Sequence, residues 1–210
     1  MQKVLDKPLG RASCDKCKRP LSACYCDRIQ RIHNRWPVHI LQTAKEANHP
    51  LNTAMMAKLS LSKVHIERIE SKHDVERAIE ALRTQRPTLV FPSDKGQAIT
   101  ELDRDNPRPL IMIDSTWRKA KRMLHENVIL RELPTVFLQG ERRRYALRHA
   151  KSHEKNIGDK LSMPYSTIEA IAMSLSYFEH DKKKYDPLLE LLESVLQTQR
   201  KFIPEETCGS

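Results

Sequence analysis

Glycine is scarce in this 210-residue chain, with five residues, and aromatic side chains make up only 5% of it. No G-x-G-x-x-G follows an apolar run and no G-x-x-x-x-G-K-[ST] occurs, which removes the usual dinucleotide and P-loop readings. So few aromatics also leave no row of stacking platforms of the kind many single-strand binders use. Long hydrophobic runs are missing: stretches such as Leu110–Ile113 fall far short of the roughly 20 residues a membrane span needs. The opening MQKVLDKPLG holds no apolar signal core, so a cytoplasmic protein without membrane attachment is expected. Nine histidines are scattered without H-E-x-x-H spacing, and neither repeats nor low-complexity tracts occur.

Positive charge, by contrast, is plentiful. Lys and Arg number 37 against 27 Asp and Glu, a formal net charge of +10. Such a surplus draws polyanions in over long range, and nucleic acid is the leading partner. The basic residues are spread along the chain rather than gathered on one amphipathic helix, which disfavours a membrane surface. With 39% hydrophobic and 30% charged residues, the composition suits one soluble α/β domain with a small appendage.

That appendage is expected at residues 1–35, ahead of a main domain at 36–210. Four of the five cysteines crowd together there as Cys14, Cys17, Cys24 and Cys26. Their C-x2-C-x6-C-x-C spacing can close a tetrahedral zinc site, and an all-cysteine set with no open position is structural rather than catalytic. A reducing compartment argues against disulfides, and the tight C-x-C pair favours zinc over an iron–sulfur cluster. The intervening residues are polar and turn-forming, so metal is needed to order them. Cys208 stands alone.

From Trp36 onward, short apolar runs alternate with helical periods. Strands are expected at Val38–Leu41, Val64–Ile69, Thr88–Phe91, Leu110–Ile113 and Thr135–Leu138. The last three follow Pro87, Pro109 and Pro134 and are nearly continuous apolar runs, the pattern of strands buried on both faces of a parallel sheet. Helices are expected over 74–86 (Val75, Ala78, Ile79 and Leu82 on one face), 116–127, 167–179 (Ile168, Ile171, Ala172, Leu175 and Phe178) and 187–203 (Leu188, Leu192, Val195 and Leu196). The alternation predicts a parallel α/β sheet.

Three places can carry chemistry. Asp114-Ser115-Thr116-Trp117 follows a buried strand, where side chains open into the ligand crevice of α/β proteins and a carboxylate can accept a proton. An Asp before a helix is equally a good N-cap. The next turn presents Arg118, Lys119, Lys121 and Arg122, suited to a phosphate backbone, or to a solvated helix face. Ser166 and Glu169 form a capping box, and the helix start they open can also hold a ligand carboxylate. The stretch Gly140–Tyr165 is long and basic, and its Arg142, Arg143, Arg144, Arg148 and Lys151 are candidate RNA contacts.

Taken in order, CDKCKRPLSACYC, HILQTAKEANHPLNTAMMAKLSL, TLVFPS, DSTWRKAKRML and STIEA resemble the DTW-domain proteins, the tRNA-uridine aminocarboxypropyltransferases, from Cys14 to Phe178. The resemblance implies a SPOUT-like parallel sheet with helices on both faces and a C-terminal trefoil knot that holds S-adenosylmethionine. It implies transfer of the 3-amino-3-carboxypropyl group to ring nitrogen 3 of a tRNA uridine, in the variable loop for bacterial members. Asp114 is then the expected base, with Thr116 and Trp117 shaping the pocket. Phe91, Pro92, Ser93, Leu138, Ser166, Thr167 and Glu169 would line the cofactor site. The rival readings are an RNA methyltransferase on the same fold and a non-catalytic zinc-containing RNA-binding protein.

Overall fold

Apolar runs that follow Pro87, Pro109 and Pro134 become inner strands of one sheet, as their lack of alternation demands. The computed structural model describes residues 12–93, 96–138 and 165–200. Its strands are β1 (Val38–Thr43), β2 (Val64–Ile69), β3 (Thr88–Val90), β4 (Gln97–Ala98), β5 (Leu110–Asp114) and β6 (Thr135–Phe137). They lie in the order β2-β1-β5-β3-β6-β4, and every pair is parallel. The helices are α1 (Ala44–Ala47), α2 (Thr53–Ser60), α3 (Lys72–Glu80), α4 (Trp117–Glu126), α5 (Val128–Arg131), α6 (Thr167–Phe178) and α7 (Asp186–Arg200). All five expected strands form, with ends shifted by no more than two residues. No helix among the described residues is long and apolar enough to cross a membrane.

Alternation along the strands divides the interior in two. Val38, Ile40, Leu110, Met112 and Val136 face one core, shared with Met56 of α2, Ile168, Ile171, Leu175 and Phe178 of α6, and Leu188, Leu192 and Val195 of α7. Leu41, Leu89 and Ile111 face the other, with Val75, Ala78 and Ile79 of α3, Ala120 of α4 and Leu130 of α5. The apolar faces legible in α3, α6 and α7 are therefore the buried ones. Trp36, fully buried just before β1, stacks on Phe178 with ring centroids 4.2 Å apart. Truncating either ring in such a setting costs about 3–5 kcal/mol.

Two expectations shift. The helix expected over 74–86 stops at Glu80, and a 3-10 turn at Arg83–Gln85 follows, ending at Arg86 in the left-handed region with φ 53°. Pro87 disfavours helical backbone at the residue before it, so the helical period outlives the helix. Leu82 stays buried all the same. The second shift is β4, two residues long and below any periodicity signal, together with the short helices α1 and α2.

One feature of the order bears on the site. β3 and β4 are consecutive in the chain, yet β6 lies between them. Between the end of β3 and the start of β4 the chain therefore crosses β6. Gly96 marks the closeness of this crossing: a Cβ there would sit 3.2 Å from the carbonyl oxygens of both Ser93 and Thr135. Any larger residue would press on backbone rather than on a side chain that can turn away.

Candidate active site and four-cysteine centre

β5 reads LIMID, four largely buried apolar residues and then Asp114, 9% exposed. Burial of an acid at a strand end demands partners. Register supplies the first: Gln42, the fifth residue of β1, lies opposite Asp114 in the parallel ladder. Gln42 Nε2 donates to Asp114 Oδ2 at 2.7 Å and to Asn52 Oδ1 at 3.0 Å. The second partner is Thr167, the first residue of α6, whose Oγ1 donates to Asp114 Oδ1 at 2.5 Å. Asp114 is therefore not the cap of the following helix. That place falls to Thr116, whose side chain makes no capping bond, and α4 starts at Trp117.

The other candidates lie on β3, β6, α4 and α6 or next to their ends. Ser166 and Glu169 form the expected capping box at the start of α6: the Ser166 amide donates to Glu169 Oε2 at 2.8 Å, and Ser166 Oγ accepts from the Glu169 amide at 3.4 Å. Glu169 is 4% exposed and its charge, with burial as the larger cause, pushes the neighbouring Tyr165 hydroxyl up from its ordinary value. Trp117 stacks on Phe91, centroids 5.2 Å apart and ring planes nearly parallel, and Lys121 Nζ lies 4.8 Å over the same indole. Phe91 is buried, so it supports Trp117 from the core side. Pro92 and Ser93 follow β3, and Leu138 follows β6. Asp114 with Thr167 and Ser166 with Glu169 thus form two hydrogen-bonded pairs at the start of α6, and Phe91 with Trp117 forms a stacked aromatic pair.

The cations separate as well. Arg118, Lys119, Lys121 and Arg122 are all exposed along α4, though Arg122 Nε is tied to Glu126 at 2.7 Å. The expected contacts Arg142, Arg143, Arg144, Arg148 and Lys151 lie outside the described residues. Sequence reasoning missed Gln42 and Asn52. The only signal for them was position: polar residues at the end of an apolar strand and before a helix.

The four-cysteine centre is built from a turn. Cys14 N donates to Arg19 O and Lys18 N to Cys14 O, with Lys18 in the left-handed region at φ 60°. This turn presents Cys14 and Cys17, while Cys24 and Cys26 come from the 3-10 segments that follow. The four Sγ atoms lie within 4.8 Å of one another, with Cys14–Cys26 and Cys17–Cys24 each at 3.7 Å. All exceed a disulfide bond, and the two 3.7 Å separations match the roughly 3.8 Å edge of a tetrahedron whose ligand bonds are about 2.3 Å. The Cys17 and Lys16 amides, donating to the Cys14 sulfur, lower that thiol to about 6. Burial, then the neighbouring thiols, pushes Cys26 up to about 12. A dication offsets the crowding that opposes four thiolates, so the donor set fits a metal ion.

Comparison with known proteins gives this geometry a context. The profile of the DTW domain matches residues 11–200. The chain belongs to the DTW-domain family. It is 29% identical over 146 residues to tRNA-uridine aminocarboxypropyltransferase 2 of Drosophila melanogaster, covering 63% of this chain and 56% of that protein. It is 25% identical over 199 residues to tRNA-uridine aminocarboxypropyltransferase 2 of Macaca fascicularis, covering 90% of this chain and 64% of that protein. To tRNA-uridine aminocarboxypropyltransferase A of Arabidopsis thaliana it is 29% identical over 158 residues, 65% of this chain and 59% of that protein. The DTW chain thus spans 56% to 64% of the length of these curated relatives. No solved structure matches it significantly.

Proposed function

We propose that this DTW protein transfers the 3-amino-3-carboxypropyl group of S-adenosylmethionine to ring nitrogen 3 of a tRNA uridine, releasing 5′-methylthioadenosine. The observation that carries the reading is the Asp114 carboxylate, fixed from two sides at the carboxyl end of β5 in a chain of this family. The donor supplies a sulfonium whose attached carbons are all electrophilic. Selecting the methionine γ-carbon over the less hindered methyl is then a matter of aim. Asp114 takes the N3 proton as the N3–Cγ bond forms. The Cγ–S bond breaks and its electron pair leaves with sulfur as a neutral thioether, so charge and atoms balance.

Asp114 is the base, and Trp117, backed by Phe91 and flanked by Thr116, gives the pocket a flat apolar wall. Pro92, Ser93, Leu138, Ser166, Thr167 and Glu169 hold the donor around the start of α6 and the ends of β3 and β6. The seating of β6 between β3 and β4 supports a SPOUT-like arrangement in which the chain beyond β6 threads the 91–96 connection as a trefoil knot. Arg118, Lys119, Lys121 and Arg122, with the cations of 142–151, bind the tRNA backbone. Residues 1–35 form a zinc module with Cys14, Cys17, Cys24 and Cys26 as structural ligands, and 36–210 the catalytic domain. A cytoplasmic setting keeps those thiols reduced.

The test is incubation of purified protein with an unmodified tRNA transcript and S-adenosylmethionine, read by nucleoside mass spectrometry beside Asp114→Ala. Aminocarboxypropyluridine and methylthioadenosine are expected from the native protein and neither from the variant. A methylated nucleoside with S-adenosylhomocysteine would move the protein to the methyltransferase reading. Absence of product from any tRNA, with binding retained, would make it an RNA-binding protein.

A further inference from the structure

We infer that Gln42 is a positioning residue that, with Asn52 behind it, directs proton uptake by Asp114 to Oδ1; the inference rests on reading Asp114 as the base. The orientation of the side-chain amides follows from chemistry alone. Asn52 caps α2, its Oδ1 accepting from the Met55 amide at 3.0 Å, while its Nδ2 donates to the Ala47 carbonyl at 2.9 Å. Two backbone groups of opposite kind thus fix which end of Asn52 is oxygen. That oxygen also faces Gln42, so Gln42 must present its nitrogen there. Reversing Gln42 would set its oxygen against both Asn52 Oδ1 and the Asp114 carboxylate.

The amide nitrogen has two hydrogens, and both are committed: one to Asn52 Oδ1, the other to Asp114 Oδ2. An amide nitrogen offers no lone pair to receive a proton, so a proton on Oδ2 would gain nothing from Gln42 and weaken the bond it already makes. Oδ1 is different. Its partner is the Thr167 hydroxyl, which donates to a carboxylate and, by turning, accepts from a carboxylic acid. Asp114 therefore has one oxygen locked as acceptor and one whose partner can follow the proton. Gln42 is 4% exposed and sits in a strand interior, so this locking is rigid. The chain from the cap of α2 through β1 and β5 to the start of α6 joins four elements around the reacting group.

Steady-state kinetics with saturating S-adenosylmethionine and varied tRNA tests the assignment. Gln42→Met keeps length and loses the donor; kcat should fall about 10- to 100-fold, with KM for tRNA within about twofold of the native value, as expected for losing a bond to a charged group. Two variants separate orientation from simple helix capping. Asn52→Ser retains a cap for α2 but is too short to reach Gln42, whereas Asn52→Asp retains both acceptor roles. Asn52→Ser should lose kcat as Gln42→Met does, and Asn52→Asp should keep several-fold more. If both Asn52 variants turn over alike, Asn52 only caps α2 and the inference is overturned. This pair also decides the matter should Gln42→Met fail to fold by circular dichroism. A Gln42→Met enzyme with native kcat beside an inactive Asp114→Asn overturns the inference and leaves the base assignment standing. An active Asp114→Asn removes the base assignment, and Gln42's role with it.

Discussion

The carboxylate of Glu179 tests how the far end of β1 is held. It follows α6 directly, is only 2% exposed, and binds three donors. Its Oε1 accepts from the Arg35 amide at 2.6 Å and the Trp36 amide at 3.3 Å, while its Oε2 accepts from Lys184 Nζ at 2.6 Å. Glu179→Gln keeps an oxygen for the two amides and removes the charge. Bonds to a charged group contribute about 1.5–3 kcal/mol against about 0.5–1.5 for neutral ones, so each amide bond weakens by about 1 kcal/mol. Lys184 is 28% exposed and can turn to water, so its bond adds little. The sum is a loss of about 2–3 kcal/mol, or roughly 4–12 °C in Tm for a chain of this size. Burial raises the Glu179 carboxyl, but Lys184 and the backbone donors outweigh it and hold the group below its ordinary 4.5. A folded value below the unfolded one means stability that is fully present above about pH 5 and drains away as pH falls through the folded value. Urea unfolding of both proteins at pH 7 and at pH 3 measures this. The gap should be about 2–3 kcal/mol at pH 7 and clearly smaller at pH 3. A gap below about 0.5 kcal/mol, or one of equal size at both pH values, would refute the reasoning.

Three further outcomes are expected. Purified protein should carry about one zinc per chain by elemental analysis, and Cys17→Ser should lose the metal and lower Tm; a metal-free native protein of unchanged stability would count against the centre. Gly96→Val should destabilise by about 1–3 kcal/mol in chemical denaturation, because its side chain meets the Ser93 and Thr135 carbonyls and neither can turn aside; a neutral result would mean that the 91–96 connection yields easily. Affinity for tRNA should fall steeply with salt, and replacing Arg118 and Lys119 by Glu should reduce the slope of log K against log salt by about 2. Arg122→Ala should matter less, since Glu126 already pairs with it; equal slopes for native and double-variant protein would remove α4 from the interface.

Much of this protein could be read from local patterns. Helical periods at Val75, Ala78 and Ile79 or at Ile168, Ile171 and Leu175 mark buried faces because one helix turn repeats within a few residues. The capping box of Ser166 and Glu169 and the clustering of four cysteines are local for the same reason: every partner lies close in the chain. Even the place of Asp114, one residue past an apolar run, marked it as a candidate.

Whether it caps the following helix, however, was ambiguous until the partners were known. Those partners stand 72 and 53 residues away, brought near by the register of β1 against β5 and by the docking of α6. Nothing in the local pattern encodes which strands become neighbours, and so Gln42 and Asn52 carried no signal beyond their position. The insertion of β6 between β3 and β4 is of the same kind, since strand order depends on how the whole chain packs. Residue type and spacing determined the five longer strands and the main helices, which faces they bury and which residues could hold a metal. Tertiary structure alone decided which groups share a hydrogen bond with Asp114, because a bond between distant strands is specified by the assembled sheet and by no single stretch of sequence.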